Sequence, residues 1–101
     1  MQTLFETRPL AEILASTSPV DYRGCHEGNW GEVFAYIEQR HFQACPEAWR
    51  HFLSSVRQYG VRTPVLITWR HGRRIVSDGH HRLWAAHKYN LATVPVREEI
   101  P

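Results

Sequence analysis

The sequence predicts a mixed α/β (α+β) fold: one small domain over residues 1–101, with a short mixed sheet in which a hairpin leads into a phosphate-binding helix. Three observations carry this. Two β-rich runs, TPVLITWR and RRIVSD, flank His71-Gly72. Apolar residues in the middle of the chain recur at helical spacing. The stretch from Ile75 to Val96, IVSDGHHRLWAAHKYNLATVPV, reads as strand, helix, strand.

A chain of 101 residues suffices for one compact domain, and with 43% hydrophobic residues it can fill a core. That composition argues against disorder. No apolar run approaches the ~20 residues of a membrane span. The first residues, MQTLFETRPL, lack the basic-then-apolar pattern of a secretory signal. The expectation is a soluble, cytoplasmic protein with no membrane partner. Cys25 and Cys45 form no CxxC pair, so two reduced thiols are expected. A net charge of +2 is too small by itself to announce nucleic-acid binding. Seven histidines should raise the charge towards pH 6.

Along the chain, Leu4 to Thr7 reads as a short strand, and Pro9 opens a helical turn through PLAEIL. STSPVDYRGCHEGN, rich in Ser, Pro, Gly and Asp, reads as a long loop of the kind that carries function. Asn29 suits an N-cap, with Glu32 at capping-box spacing. Trp30, Val33, Phe34, Ile37 and His41/Phe42 then follow one helical face. Pro46 fits a first helical position. Trp49, Phe52, Leu53 and Val56 form the next apolar stripe, read as core, and Gly60 is expected to end that helix in a left-handed conformation. His71-Gly72 is a two-residue hairpin turn. The last helix runs from about Gly79 to Tyr89, with Asn90 as left-handed terminus and Leu91 as its apolar contact. On it, Ala85, Ala86 and Tyr89 share a stripe suited to the sheet, and His80, Trp84 and His87 lie on the other, partly solvated side. ATVPVRE forms the final strand, where Pro95 points to an edge or irregular position.

At the strand-to-helix junction, Ser77-Asp78-Gly79-His80-His81-Arg82, unpaired helix N–H groups and the macrodipole favour an anion. Gly79 admits a close approach, Arg82 offers bidentate charge-assisted bonds, and His80 and His81 can donate more. Asp78 has three readings: it caps the helix, orients Arg82, or holds a Mg²⁺ that bridges phosphates. The plainer alternative is an N-cap followed by a solvated first turn.

These residues carry a resemblance. PVLI and RRIVSDGHHRLWAAHKYNLATVPV resemble the ParB/sulfiredoxin superfamily, in which a hairpin leads into a Gly-x-x-Arg helix start. The DGHHR spelling is most similar to the branch of ParB-like nuclease-domain proteins and ADP-dependent free serine kinases. The likeness is closest over residues 63–97 and faint over 4–28. It implies a nucleotide-phosphate site at Gly79, His80, His81 and Arg82, with ATP, ADP or CTP as ligand and Mg²⁺ at Asp78. It also implies phosphotransfer or nucleotide hydrolysis, with Glu27 of the Cys25-His26-Glu27 triplet as catalytic base beside Asp78. The alternative for Glu27 is a solvated loop carboxylate. His80 stands where sulfiredoxins carry their catalytic cysteine, so sulfinic-acid reduction is not expected. Residues 1–101 contain neither the downstream EN…R motif and helix-turn-helix of ParB nor the large C-terminal region of the kinases. That counts against a CTP clamp and against serine phosphorylation.

Two other readings stand beside nucleotide binding. The hairpin tip RHGRR could contact DNA phosphates through Arg70, Arg73 and Arg74, with Arg82. A regulatory protein acting through a protein partner would retain the fold without the ligand; stand-alone domains of this family are common in phages and mobile elements. A zinc site from His80, His87 and His26 is the weakest reading, since no further ligand stands at ligand spacing.

Overall fold

In the structure, a computed structural model, residues 2–19 and 29–101 are described. They form four strands and four helices: β1 (Gln2–Pro9), α1 (Leu10–Ser16), α2 (Trp30–Tyr36), α3 (Pro46–Tyr59), β2 (Val65–Arg70), β3 (Arg73–Asp78), α4 (His80–Lys88) and β4 (Thr93–Ile100). The strands make one sheet in the order β1-β4-β2-β3. β1 runs antiparallel to β4, β4 parallel to β2, and β2 antiparallel to β3, so the sheet is mixed. No helix among the described residues is long and apolar enough to cross a membrane.

Local chemistry accounts for most boundaries. Pro9 closes β1, and its φ of −59° pre-sets the entry into α1. The strand is longer than the Leu4–Thr7 expected, because β4 pairs with it over its whole length. The side chain of Asn29 accepts the Glu32 N–H at 2.9 Å, capping α2. Beyond Tyr36 the helix widens into a π-helical segment, Ile37–Phe42, in which the Gln43 N–H reaches the Glu38 carbonyl. That widening lets Ile37 and Phe42, five positions apart, both face the core. Pro46 opens α3 as expected, and Gly60 ends it with φ +76°. Its ψ of −173° is extended, so the exit is not the left-handed cap expected. His71 (φ +51°) and Gly72 (φ +77°) are both in the left-handed region that a two-residue hairpin needs. Asn90 takes φ +54° at the end of α4, and the N–H groups of Asn90 and Leu91 return to the carbonyls of His87 and Ala86.

The helices cover one sheet face. Val65, Ile67, Val76, Val94 and Val96 point into it and join Ile13, Val33, Ile37, Leu53 and Val56 in one core. Within that core α4 is enclosed: Leu83, Trp84, Ala85 and Ala86 are all buried. Four consecutive residues cannot share one helical stripe, so α4 has sheet on one side and α2 and α3 on the other. On the side expected to be partly solvated, His87 is exposed, but Trp84 is only 2% exposed and belongs to the core. Its Nε1–H donates to Glu38, and its ring lies 5.7 Å from that of Trp49. A nine-residue helix is marginal in isolation. Burial, at about 1.5–3 kcal/mol per large apolar side chain, therefore holds α4 in place.

Pro95 needs its own account, since β4 lies inside the sheet rather than at its edge. The Leu10 N–H bonds the Ala92 carbonyl, continuing the β1–β4 register. Main-chain groups alternate along an antiparallel pair, so Pro95 turns its nitrogen away from β1 and towards β2. The β2–β4 pairing begins only at Val65 with Val96. The missing N–H falls where β2 has not yet started, and no ladder bond is lost.

The loop after α1 also does structural work. The Ser18 N–H donates to the Arg74 carbonyl, and the Ser18 carbonyl accepts from Val76, bridging the outer edge of β3 at its middle. At that end of the sheet a buried ion pair joins four elements. Glu98 receives two bonds from Arg74, at 2.7 and 3.1 Å, and one from Trp69 Nε1 at 2.9 Å. A further Arg74 donor reaches the Ser16 hydroxyl. Arg74 and its hydrogen bonds hold the Glu98 carboxyl below the usual carboxylate range. A depressed carboxylate pKa stabilises the fold above its ordinary value near 4.5 and loses that contribution as pH falls through the folded value. Glu98→Gln should lower stability by about 3 kcal/mol in urea denaturation at pH 7, since it leaves Arg74 buried without a counter-charge. The deficit should shrink on acidification below pH 4.5; a constant deficit would mean that the charge is not what matters.

Candidate functional site

The junction of β3 and α4 is built by a bulge and a glycine. Leu66 pairs with Asp78 but Ile67 pairs with Val76, so β3 carries one extra residue, Ser77, just before the turn. Gly79 follows at φ +113°. A Cβ there would lie 3.1–3.2 Å from Val65 atoms, so both conformation and packing call for glycine. The close approach expected at Gly79 is therefore made by β2.

Each predicted residue of the motif now has a position. Asp78 is not the N-cap residue: Gly79 holds that position and has no side chain to cap with. Asp78 orients Arg82, the second of its three readings, through an ion pair at 3.1 Å. Arg82 also donates to the Pro64 and Thr63 carbonyls, which fixes the entry into β2. Its guanidinium is thus largely committed to the protein rather than held open for a bidentate anion. His80 turns away from the junction. Its Nε2 lies 2.9 Å from the Pro19 carbonyl, and its ring packs 5.6 Å from Trp30. A carbonyl only accepts, so the proton sits on Nε2. His81 turns the other way, 4.9 Å from the Trp49 ring and 5.6 Å from His41.

A cleft of about 460 Å³ opens at this point, lined by Ala48, Trp49, Phe52, Asp78, Gly79, His81 and Arg82. One end is polar and contains the start of α4. The other is an aromatic wall from α3, with Trp49 and Phe52 half-buried and 6.0 Å apart. Sequence reading assigned both rings to the core. Leu53 and Val56 do fill it, but Trp49 and Phe52 sit on the margin of that stripe and face the cleft. A wide apolar stripe at the start of a helix was the available signal.

Other candidates fare differently. Arg74 is engaged with Glu98 and Ser16, whereas Arg70 and Arg73 are exposed on the hairpin. Glu27, His26 and Cys25 lie outside the described residues. Cys45 is an exposed free thiol. The zinc reading finds no support: His87 stacks on Phe34 at 5.0 Å, and among the described residues no three His, Cys, Asp or Glu side chains gather as metal ligands.

Burial lowers the pKa of His80, against smaller opposing effects of Pro19 and Asp78. A depressed histidine pKa leaves stability intact above the ordinary value of 6.5 and erodes it as pH falls below, where the unfolded chain takes up the proton first. The urea midpoint should therefore fall between pH 7.5 and pH 5.5, and by less in His80→Gln. Equal pH dependence in both proteins would remove His80 as the cause. Gly79→Ala should cost about 2–4 kcal/mol in the same assay. A neutral result would contradict the close packing against Val65.

No protein-family model, curated protein or solved structure matches the chain. Any reading of the site rests on its own residues and geometry.

Proposed function

We propose that the protein binds a nucleotide in the cleft at the start of α4, phosphates on the helix terminus and base against Trp49 and Phe52. The observation that carries this is a cleft that has the glycine-led start of α4 at one end and an aromatic wall at the other. Helix N–H groups and the macrodipole attract phosphate oxygens. Aromatic rings accept the face of any base, at about 1–3 kcal/mol per stacked base. A volume of about 460 Å³ lies within the ~300–1,000 Å³ of ordinary small-molecule sites.

In this reading the motif residues divide the work. Gly79 sets the height of the helix start against β2. Arg82 holds Asp78 and supplies positive charge at the mouth. His81 offers a donor beside Trp49. Asp78 is the carboxylate available to a Mg²⁺ that arrives with the phosphates, since its side chain is 69% exposed. Mg²⁺ commonly takes one or two carboxylates and completes its shell with water and phosphate oxygens. Phosphotransfer or hydrolysis would require a base as well, and Glu27 is the residue to test for that role.

Isothermal titration with ATP, ADP and CTP, with and without Mg²⁺, tests the proposal. Saturable binding of at least one nucleotide is expected. Trp49→Leu, which keeps the wall apolar but removes the ring, should weaken it by about tenfold or more. Asp78→Asn should abolish the Mg²⁺ dependence while Mg²⁺-free binding persists. Absence of binding, or binding indifferent to both substitutions, would overturn it.

A further inference from the structure

The two edges of the sheet are treated differently. β3 is bridged at its middle by Ser18, whereas among the described residues β1 has a partner, β4, on one side only. An open edge presents unpaired N–H and C=O groups, and proteins usually cover or charge it. β1 carries charges, Glu6 and Arg8, on the helix side, but on the other face it carries Phe5, 69% exposed.

The direction of each main-chain group follows from the register. Leu10 bonds Ala92 in the continuation of the β1–β4 ladder. By alternation Leu4, Glu6 and Arg8 turn their main-chain groups to β4, while Thr3, Phe5 and Thr7 turn theirs outward. The outward residues read Thr-x-Phe-x-Thr, which is the same in both directions. A two-fold contact requires that residue i meet j and j meet i.

We infer that β1 is a self-complementary edge through which two copies of the protein pair, antiparallel, into one continuous sheet. With Phe5 opposite Phe5 of the second copy, Thr3 meets Thr7, and every outward N–H and C=O of these three residues finds a reciprocal partner. On the helix side Leu4 meets Glu6 and Gln2 meets Arg8, so no like charges oppose each other. Sliding the strands by two residues in one direction sets Glu6 against Glu6 and gives Thr3 to Pro9, which has no N–H. Sliding them the other way carries Thr7 past Gln2, the first residue of the strand. In the favoured register the Phe5 rings become direct cross-strand neighbours on one face, with Arg97 already 5.9 Å from each ring.

Sedimentation equilibrium over micromolar to millimolar concentration tests this, together with Phe5→Lys and Phe5→Glu. The unaltered protein should dimerise reversibly. Either variant should raise the dissociation constant by about tenfold or more, and mixing the two should restore a dimer. Amide exchange in the unaltered protein gives a second readout that no variant can confuse. Exchange at Thr3, Phe5 and Thr7 should slow with concentration, and exchange at Leu4 and Glu6 should not. A monomer throughout, with exchange independent of concentration, would overturn the inference. A dimer that ignores both charges at position 5 would overturn it equally.

Discussion

The backbone of Gly79 lies so close to Val65 that any side chain at 79 would press on β2, and its φ of +113° is one that other residues adopt only at a cost. Much else depends on that approach. It sets the depth at which α4 enters the core, where Leu83 to Ala86 are buried between the sheet and the aromatic helices. It also puts a residue with no side chain at the helix start, beside the cleft. With any other residue at this position, Val65 would have to give by a few tenths of an ångström and the backbone would hold a strained φ.

The rest of the molecule holds α4 to that position from both ends. At its start His80 reaches Pro19 and Arg82 reaches the carbonyls before β2. At its finish Lys88 pairs with Glu38, which also accepts the Trp84 N–H, and Lys88 lies 4.7 Å over the Phe42 ring. These polar ties are partly buried, so each is worth more intact than its surface counterpart and costs more when one partner is lost. The aromatic rings of α2, α3 and the π-helical segment fill the space around them, which gives the middle helices a purpose beyond core volume. They form both the lid over α4 and the apolar wall of the cleft.

Elements with local chemistry were legible in the sequence: the hairpin through His71-Gly72, the Asn29 cap, Pro46 at the start of α3, and the Asn90 terminus. Each is decided by residues within a few positions of one another. What sequence could not give were the outcomes of distant pairing. Pro95 reads as an edge residue because its missing N–H normally excludes it from inner strands, yet it stands where its other neighbour has not begun. Trp84 reads as half-solvated from helical spacing alone, and is buried because a second layer arrives from residues 30–59. Arg74 reads as one more cation on a basic tip, while its counter-ion Glu98 lies 24 positions away. In the motif itself, residue types were read correctly as a junction. The division of His80 to one side and His81 to the other needed the fold.

The central claim is that the start of α4 is where this protein meets phosphate. Titration of the isotope-labelled protein with ADP and, separately, with inorganic phosphate, followed by amide and indole NMR shifts, tests it most directly. The account predicts that both ligands move the amides of Gly79 to Arg82, and that the nucleotide alone also moves the Trp49 indole. Shifts centred on Arg70 and Arg73 of the hairpin, or none with either ligand, would contradict it.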